Sequence, residues 1–339
     1  MTCDYLIVGA GLAGSVLGYL LQKNGYNVII LEKQSLSSKH KLCGGSVTPK
    51  AYSLLMTHFN QKNVQATVKT TFTTCKVSDK VEVGLKDIDI KIVDRKLLDD
   101  YILNEYIKLG GKVIENCKIE SIGFNSNVVI ANGESYTFKH LIGADGVLSQ
   151  VRKCLTARTQ NKNFALESFQ QTDNKLDFKI EFVKDYKGYN WVIPANNVVC
   201  IGTGNIAGDT EIQDVYDELT NKYSLSSEKK GAFLPTGNDI MLNKGNVYFI
   251  GDAAGLISPV TGEGIYYALY SACMLFECFS KGKSYSKCMQ RVVKDIKLQL
   301  KLVKVIYSDK IRNFVFTIMK RDNGISKFII KHVKKILLN

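Results

Sequence analysis

The stretch Tyr5-Leu-Ile-Val-Gly-Ala-Gly-Leu-Ala-Gly14 decides the fold, because a short apolar run passes straight into Gly9, Gly11 and Gly14 and then into a helical pattern. This is the sequence form of a dinucleotide-binding turn between a strand and a helix. Gly9 permits the tight turn, Gly11 lets the backbone approach a pyrophosphate, and Gly14 lets the helix pack closely on the strand. The helix N-terminus then faces the phosphates. A second apolar run, Val28 to Leu31, ends in Glu32, about 20 residues beyond the glycines, where an acidic side chain accepts the hydroxyls of an adenosine ribose. The order strand, glycines, helix, strand, acid separates this pattern from an ordinary Gly-rich turn.

Two later segments bear on which dinucleotide it is. One is Gly143-Ala-Asp-Gly-Val-Leu-Ser-Gln-Val-Arg152; the other is Val247-Tyr-Phe-Ile-Gly-Asp-Ala-Ala-Gly255, continuing through Ser258-Pro-Val-Thr-Gly-Glu-Gly264 into an apolar helix. In the second, an apolar strand delivers Asp252 to a turn, where its carboxylate suits a ribityl hydroxyl. The turn Gly262 to Ile265 opens a helix whose positive end suits the N1 and C2 carbonyl of a flavin.

Taken in order, the three segments resemble the p-hydroxybenzoate-hydroxylase-type FAD superfamily. Three further details resemble its geranylgeranyl reductase branch: Lys41-Leu-Cys-Gly-Gly45, the run Gly188-Tyr-Asn-Trp-Val-Ile-Pro194 with Cys200-Ile-Gly-Thr-Gly204, and the helix start Gly262-Glu-Gly-Ile-Tyr-Tyr-Ala268. The resemblance spans residues 1 to 280, with the motifs in the family's order.

The resemblance implies an α/β fold: a discontinuous Rossmann-like FAD-binding domain, a β-sheet domain roofing the flavin for substrate, and C-terminal helices. The expected FAD-binding segments are 1–65, 92–160 and 245–282; the β-rich substrate segments are 66–91 and 161–244; residues 283–339 form the basic helical end. The resemblance also implies cofactor contacts. Ala13 and Gly251 join the glycine turn and the Asp252 turn, and Lys33 follows Glu32. Arg95 comes near the flavin's phosphates, unless it is an ordinary helix-start residue on the surface. Ile119 meets the adenine through its backbone, Asp145 and Gly146 stand beside the pyrophosphate, and Gly262, Gly264 and Ile265 lie at the ring. Cys43 and Gly44 also reach the isoalloxazine, where Cys43 either donates a proton or packs as a small hydrophobe.

The loop from Lys33 to Val47 precedes a helix that Thr48 caps and Pro49 starts. Tyr189 and Trp191 alternate on one strand, so both point to one face. They either wall an apolar substrate pocket or form core of the roof sheet. Gly202-Thr-Gly204 resembles a nucleotide motif only superficially, since Gly208 is at the wrong spacing, so the sequence holds no second dinucleotide fingerprint. NAD(P)H or another reductant remains the expected electron donor.

Composition suits a globular enzyme: 339 residues, 45% of them hydrophobic, can bury a sizeable core in one large or two moderate domains. Asp4 interrupts any leading apolar region and no basic segment precedes it, so a signal peptide is not expected. No apolar run approaches the roughly 18 residues of a membrane span. Nine cysteines lie at irregular spacings without a CxxC or a His/Cys cluster, which suits reduced thiols in a cytoplasm and no metal site.

Charge is concentrated at one end. Residues 281–339 carry sixteen Lys/Arg and three Asp/Glu, so the whole formal net charge of +13 sits there, and the preceding chain balances. Val292, Val293, Ile296, Leu300, Val303 and Ile306 recur at helical spacing between lysines, and Asn323-Gly324 marks a break. A basic amphipathic helix suits an anionic membrane surface; a packed terminal helix with a solvated basic face is the plainer reading. No nucleic-acid-binding motif accompanies the charge.

The chemistry that the resemblance implies is hydride transfer from reduced FAD to a C=C bond of an apolar, isoprenoid-like substrate. The rival within enzymes is an FAD-dependent monooxygenase, a hydroxylase or epoxidase on a small hydrophobic substrate. A halogenase is less favoured, since Tyr189 stands where the usual W-x-W-x-I-P pattern has its first Trp. The alternative of another class is a membrane-associated, redox-linked flavin-binding module without turnover.

Overall fold

The computed structural model describes residues 1–205, 211–225, 228–321 and 323–337; Gly208 lies outside the described residues. Two eight-stranded sheets organise the chain. The first has a parallel centre in the order Val247–Phe249, Glu134–Gly143, Thr2–Val8, Val28–Leu31, Lys112–Ile114. Thr2–Val8 and Val28–Leu31 at its centre read as near-continuous apolar runs because both faces are covered there, as in parallel sheets. Ile119–Gly123 and Val128–Ala131 extend it as an antiparallel meander on Glu134–Gly143.

The helix Leu12–Lys23 follows the first strand and packs against the helices Arg95–Lys108 and Ile265–Lys281. It is buried along ten consecutive residues, from Leu12 to Leu21. Tyr106, fully buried, seats the helix Arg95–Lys108 on the sheet by donating its hydroxyl to the carbonyls of Val28 (2.9 Å) and Lys112 (3.1 Å). The helix start expected at Thr48 is present, and a second side-chain cap appears at Asp94. Thr48 accepts from the Ala51 amide at 3.4 Å ahead of Pro49–His58, and Asp94 accepts from Leu97 at 3.1 Å ahead of Arg95.

The second sheet runs Lys230–Pro235, Lys162–Gln171, Val198–Asn205, Gly188–Ala195, Lys179–Phe182, Val68–Ser78, Glu82–Val93, Ser46–Val47. It is antiparallel throughout, apart from the parallel pairing of Lys179–Phe182 with Val68–Ser78. Its last strand, only two residues long, comes from the long loop after Glu32, with Ser46 opposite Ile92 and Val47 opposite Lys91. Two residues carry no periodicity, so this pairing is invisible in the sequence.

Alternation divides the faces of this sheet. Val192, Val199 and Ile201 point outward and pack with Leu219 and Leu225 beside the helix Ile212–Lys222. The opposite face looks toward the first sheet. The basic end forms the helices Tyr285–Cys288, Gln290–Ile306, Asp309–Met319 and Gly324–Leu337. Val292 and Ile296 join the core of the first sheet, whereas Phe316 and Met319 join that of the second. The break at Asn323 is a cap, its side chain accepting from the Ser326 amide at 2.8 Å.

Candidate active site

A cavity of about 720 Å³ opens between the two sheets. Of the positions expected from the sequence to touch cofactor or substrate, all line it except Gly14 and Gly251. Those two act behind the wall. A Cβ on Gly14 would stand 2.0 Å from the Gly9 carbonyl oxygen, so the helix rests directly on the turn. Gly251, at φ +56°, donates its amide to Ser271 Oγ at 2.9 Å.

The glycine turn has the required form. Gly9 sits at φ +105°, and a Cβ there would meet the Ala144 oxygen at 2.4 Å. Gly11 and Gly146, in contrast, face open space. Gly11 begins its helix without a side-chain cap, which leaves its first-turn N–H groups available for an acceptor; at the helix that Gly264 begins, Glu263 takes the Tyr266 amide and the Ile265 and Tyr267 amides are left. Glu32 is buried beside the turn, with Oε2 accepting from Ala10 N at 2.8 Å and Oε1 from Gln34 N at 3.0 Å. Those bonds fix the carboxylate at the cavity edge and leave further lone pairs for hydroxyls. Lys33 is exposed at the rim, and Ile119 lines the wall at a bulge in its strand.

Asp145 serves first as a clamp on the following helix, Oδ2 accepting from Gln150 N at 2.7 Å and Val151 N at 3.2 Å. Its Oδ1 is buried without a partner, and burial raises the carboxyl above its ordinary range. Asp252 pairs with Lys41 across 3.1 Å, and that charge raises the Lys41 ammonium against the opposing effect of burial. The two turns that carry Asp145 and Asp252 are tied together by Arg152 and Gln160. Arg152 reaches Gln160 Oε1 (3.0 Å) and the Asp239 carbonyl (2.7 Å), while Gln160 Nε2 donates to Val147 O (2.9 Å) and Asp252 O (2.8 Å).

Arg95 is not a surface residue; it is 7% exposed and forks onto Asp99 at 3.2 and 2.9 Å. Burial works against its charge, but Asp99 and the neighbouring Cys43 side chain more than offset it. Lys39, unnoticed in the sequence, donates to the Ala10 carbonyl at the glycine turn, and burial lowers its proton affinity. Lys39, Lys41 and Arg95 thus give the first sheet's side of the cavity three cations. Lys39 and Lys41 were visible as lysines in the long loop of a dinucleotide motif, but only the fold turns them inward.

The roof side is different in kind. Tyr189, Trp191 and Ile193 alternate on one strand, with Ile180 and Phe182 on the next, and all five line the cavity. The Tyr189 hydroxyl donates to the Thr261 carbonyl beside Gly262, and its ring meets Trp191 edge-on at 5.9 Å. Gly202 lies opposite Trp191 because the indole covers it: a Cβ on Gly202 would be 2.4 Å from Trp191 Cζ2. The glycines of Gly202-Thr-Gly204 therefore serve an aromatic ring rather than a nucleotide.

Two acids on the cavity wall, the buried Glu167 and the half-buried Glu263, were also missed. Glu167, 5% exposed, takes the Cys200 thiol at 3.5 Å on Oε2, and its Oε1 has no partner. Burial pushes Glu167 up to about 7, against the smaller opposing effects of Cys200, Arg95 and Lys41. Glu263 is likewise pushed up to about 7 by burial, although Oε1 accepts from Tyr266 N at 2.6 Å. Cys43 stands at the same end, its sulfur accepting from Gly45 N at 3.4 Å. Gly44 stays a glycine because Ile193 Cδ1 and Cys200 Sγ would lie 2.8 and 3.3 Å from a Cβ.

A cavity with cations and the uncapped helix start at Gly11 on one side and an apolar wall on the other defines a flavoprotein of the FAD-binding class. A family model described as "FAD binding domain" matches residues 2–233, and the chain belongs to that family. It is an FAD-dependent oxidoreductase. It is 27% identical over 313 residues to a digeranylgeranylglycerophospholipid reductase of Methanococcus vannielii, covering 84% of this chain and 79% of the relative. It is 26% identical to a geranylgeranyl diphosphate reductase of Rhodobacter capsulatus, covering 79% and 72%. Among solved structures, a geranylgeranyl bacteriochlorophyll reductase-like protein of Thermoplasma acidophilum superposes with TM-score 0.72 at 17% identity, covering 99% of each chain. A probable FAD-dependent monooxygenase of Pseudomonas aeruginosa gives 0.72 at 16%, covering 94% of this chain and all of the other. These structural likenesses establish the shared fold. No helix among the described residues is long and apolar enough to cross a membrane.

Proposed function

We propose that this flavoenzyme reduces a carbon–carbon double bond of an apolar, isoprenoid-like substrate. The observation that carries the reading is the roof wall, where Ile180, Phe182, Trp191 and Ile193 line the cavity with one protonatable acid, Glu167, among them. Both relatives named above are prenyl-chain reductases by name, which supports the same substrate class.

Gly11, Glu32, Lys39, Arg95 and Gly146 would hold the FAD diphosphate and ribose; Lys41, Asp252, Gly264 and Ile265 would hold the ribityl chain and ring. When bound, FAD supplies a hydride, and NAD(P)H or another reductant restores it. The apolar wall removes the alkene from water and fixes which face it presents. The Glu167 carboxyl gives its proton to the alkene carbon that does not receive hydride, leaving a carboxylate that Arg95 and Lys41 stabilise. One hydride and one proton saturate the bond, and solvent reprotonates Glu167. Cys43 shapes the same end of the cavity through its contact with Gly45 and its place beside Arg95.

The test is anaerobic mixing of chemically reduced holoenzyme with a geranylgeranyl lipid. Reoxidation of the flavin absorbance without oxygen supports the reductase. Reoxidation by oxygen alone, with hydroxylated product from an aromatic panel, would overturn it in favour of a monooxygenase. The acid form of Glu167 is lost as pH rises through about 7, so the rate should fall across that range. Glu167→Gln should remove this limb and lower the rate by about 10²- to 10⁴-fold with FAD content unchanged. A Glu167→Gln enzyme that keeps the wild-type pH profile removes Glu167 from the proton step.

A further inference from the structure

The last two helices, Asp309–Met319 and Gly324–Leu337, each carry two apolar stripes, and only one is used by the fold. The inner stripe packs on the second sheet: Phe316 and Met319 from the first helix, Ile329, Ile330 and Val333 from the second. Arg312 pins it there. Its guanidinium is buried, bonds Asp79 at 3.0 Å, pairs with Asp309 at 2.5 Å and lies 5.1 Å over the Phe182 ring. Ser326 Oγ joins the two helices by donating to the Met319 carbonyl at 2.9 Å.

The outer stripe faces solvent. Phe314 is 66% exposed and Ile311 42%, three residues apart on one helix; Ile325 is 64% and Phe328 63% exposed, three apart on the next. Spacing of three places each pair on a single helix face, so this is a patterned surface rather than scattered apolar residues. Around it the sequence sets Lys310, Lys320, Arg321, Lys327 and Lys331, while Asp309, one of two acids in residues 309–337, is engaged by Arg312.

We propose that this helical hairpin docks on an anionic lipid bilayer, with Phe314, Phe328 and their neighbours entering the interface and the basic side chains meeting the headgroups. Charge selects this occupant. Two copies of so basic a surface repel each other, whereas anionic lipid attracts each nearby Lys or Arg. An amphipathic surface of aromatic and aliphatic anchors beside lysines is the form that lies in a membrane interface. The inner side of the same hairpin bounds the cavity: Lys334 lines it with Leu85, Ile88 and Ile90. Docking therefore sets the apolar half of the cavity one helix away from lipid, which suits a prenyl-chain substrate. That last link rests on the reductase reading; the docking does not.

The experiment is sedimentation of the FAD-loaded full chain with phosphatidylcholine vesicles and with vesicles containing one-third phosphatidylglycerol, at low and high salt. Anionic vesicles should bind at least about tenfold more tightly, with the difference shrinking at high salt. The double variant Phe314→Ser/Phe328→Ser changes only exposed side chains, so it should keep its flavin and its turnover of detergent-dispersed substrate. It should lose about tenfold or more in vesicle binding. Equal binding to both vesicle types, or undiminished binding by the double variant, overturns the proposal. So does a wild-type dimer in solution that the double variant converts to monomer, since the surface then covers a second copy. Vesicle binding and anaerobic reduction of detergent-dispersed lipid are separate readouts, so failure of docking and failure of the reductase reading are distinguishable.

Discussion

The parallel sheet meets the cavity with glycine backbone and charged side chains, and the antiparallel sheet meets it with mostly apolar side chains. On the first, Gly9 at φ +105° and the open peptide at Gly11 bring backbone to the cavity, with Glu32, Lys39 and Arg95 beside them. On the second, the strands that carry Trp191, Ile193, Phe182 and Glu167 pair in regular ladders, and those side chains are the working parts. A surface made of peptide groups tolerates few substitutions, because a single Cβ fills the space. A surface made of side chains can change its substrate one residue at a time, because each points into the cavity independently.

The largest expected effect tests the backbone side. Gly14→Ala places a Cβ 2.0 Å from the Gly9 oxygen, so the helix must move off the turn. The purified variant should be colourless and fail to take up FAD, whereas Gly11→Ala, facing open space, should fold normally and bind FAD more weakly. A Gly14→Ala protein with the wild-type flavin-to-protein absorbance ratio would break the comparison. Next in size is Asp79→Asn, which takes the Asp79 carboxylate from the buried Arg312 and leaves it Asp309 and the Val183 carbonyl. Removing one partner of a buried pair costs about 3–5 kcal/mol, and the remaining Asp309 contact should hold the loss to the lower end. The urea midpoint should fall while FAD content at zero denaturant stays unchanged, because the pair joins the hairpin to the second sheet. An unchanged midpoint would show that the apolar stripe alone holds the hairpin. The smallest effect is Gly202→Ala, which crowds Trp191 Cζ2 at 2.4 Å and Leu166 O at 2.6 Å. Overpacking of this kind costs about 1–3 kcal/mol. Its turnover should suffer more than its FAD affinity, and the reverse would mean that the roof wall positions cofactor rather than substrate.

Much of the first sheet was legible beforehand. The glycine turn, Glu32, the Asp145 and Asp252 turns and the start at Thr48 are local: each depends on residues within a few positions of one another. Arg95 was placed near the site by resemblance, yet its buried fork onto Asp99 was not foreseen. Lys39 and Lys41 were hidden because a long loop has no periodicity to show which side chains turn inward. The strand at Ser46–Val47 was hidden for the same reason. The basic end was read as helices with one polar face. Its double apolar stripe appears only once the second sheet claims Phe316 and Met319 and leaves Phe314 outside.

By itself the sequence determined that this chain builds a dinucleotide turn and carries the FAD fingerprint in order, since φ angles, caps and glycine clearances are properties of short segments. The tertiary structure alone decided what faces the cofactor cavity from the other side. Glu167 meets Cys200, Trp191 covers Gly202, and Arg312 reaches Asp79 because strand register and helix docking bring together residues far apart in the chain. Register is set by the sum of many pairings, and no single stretch of residues records that sum.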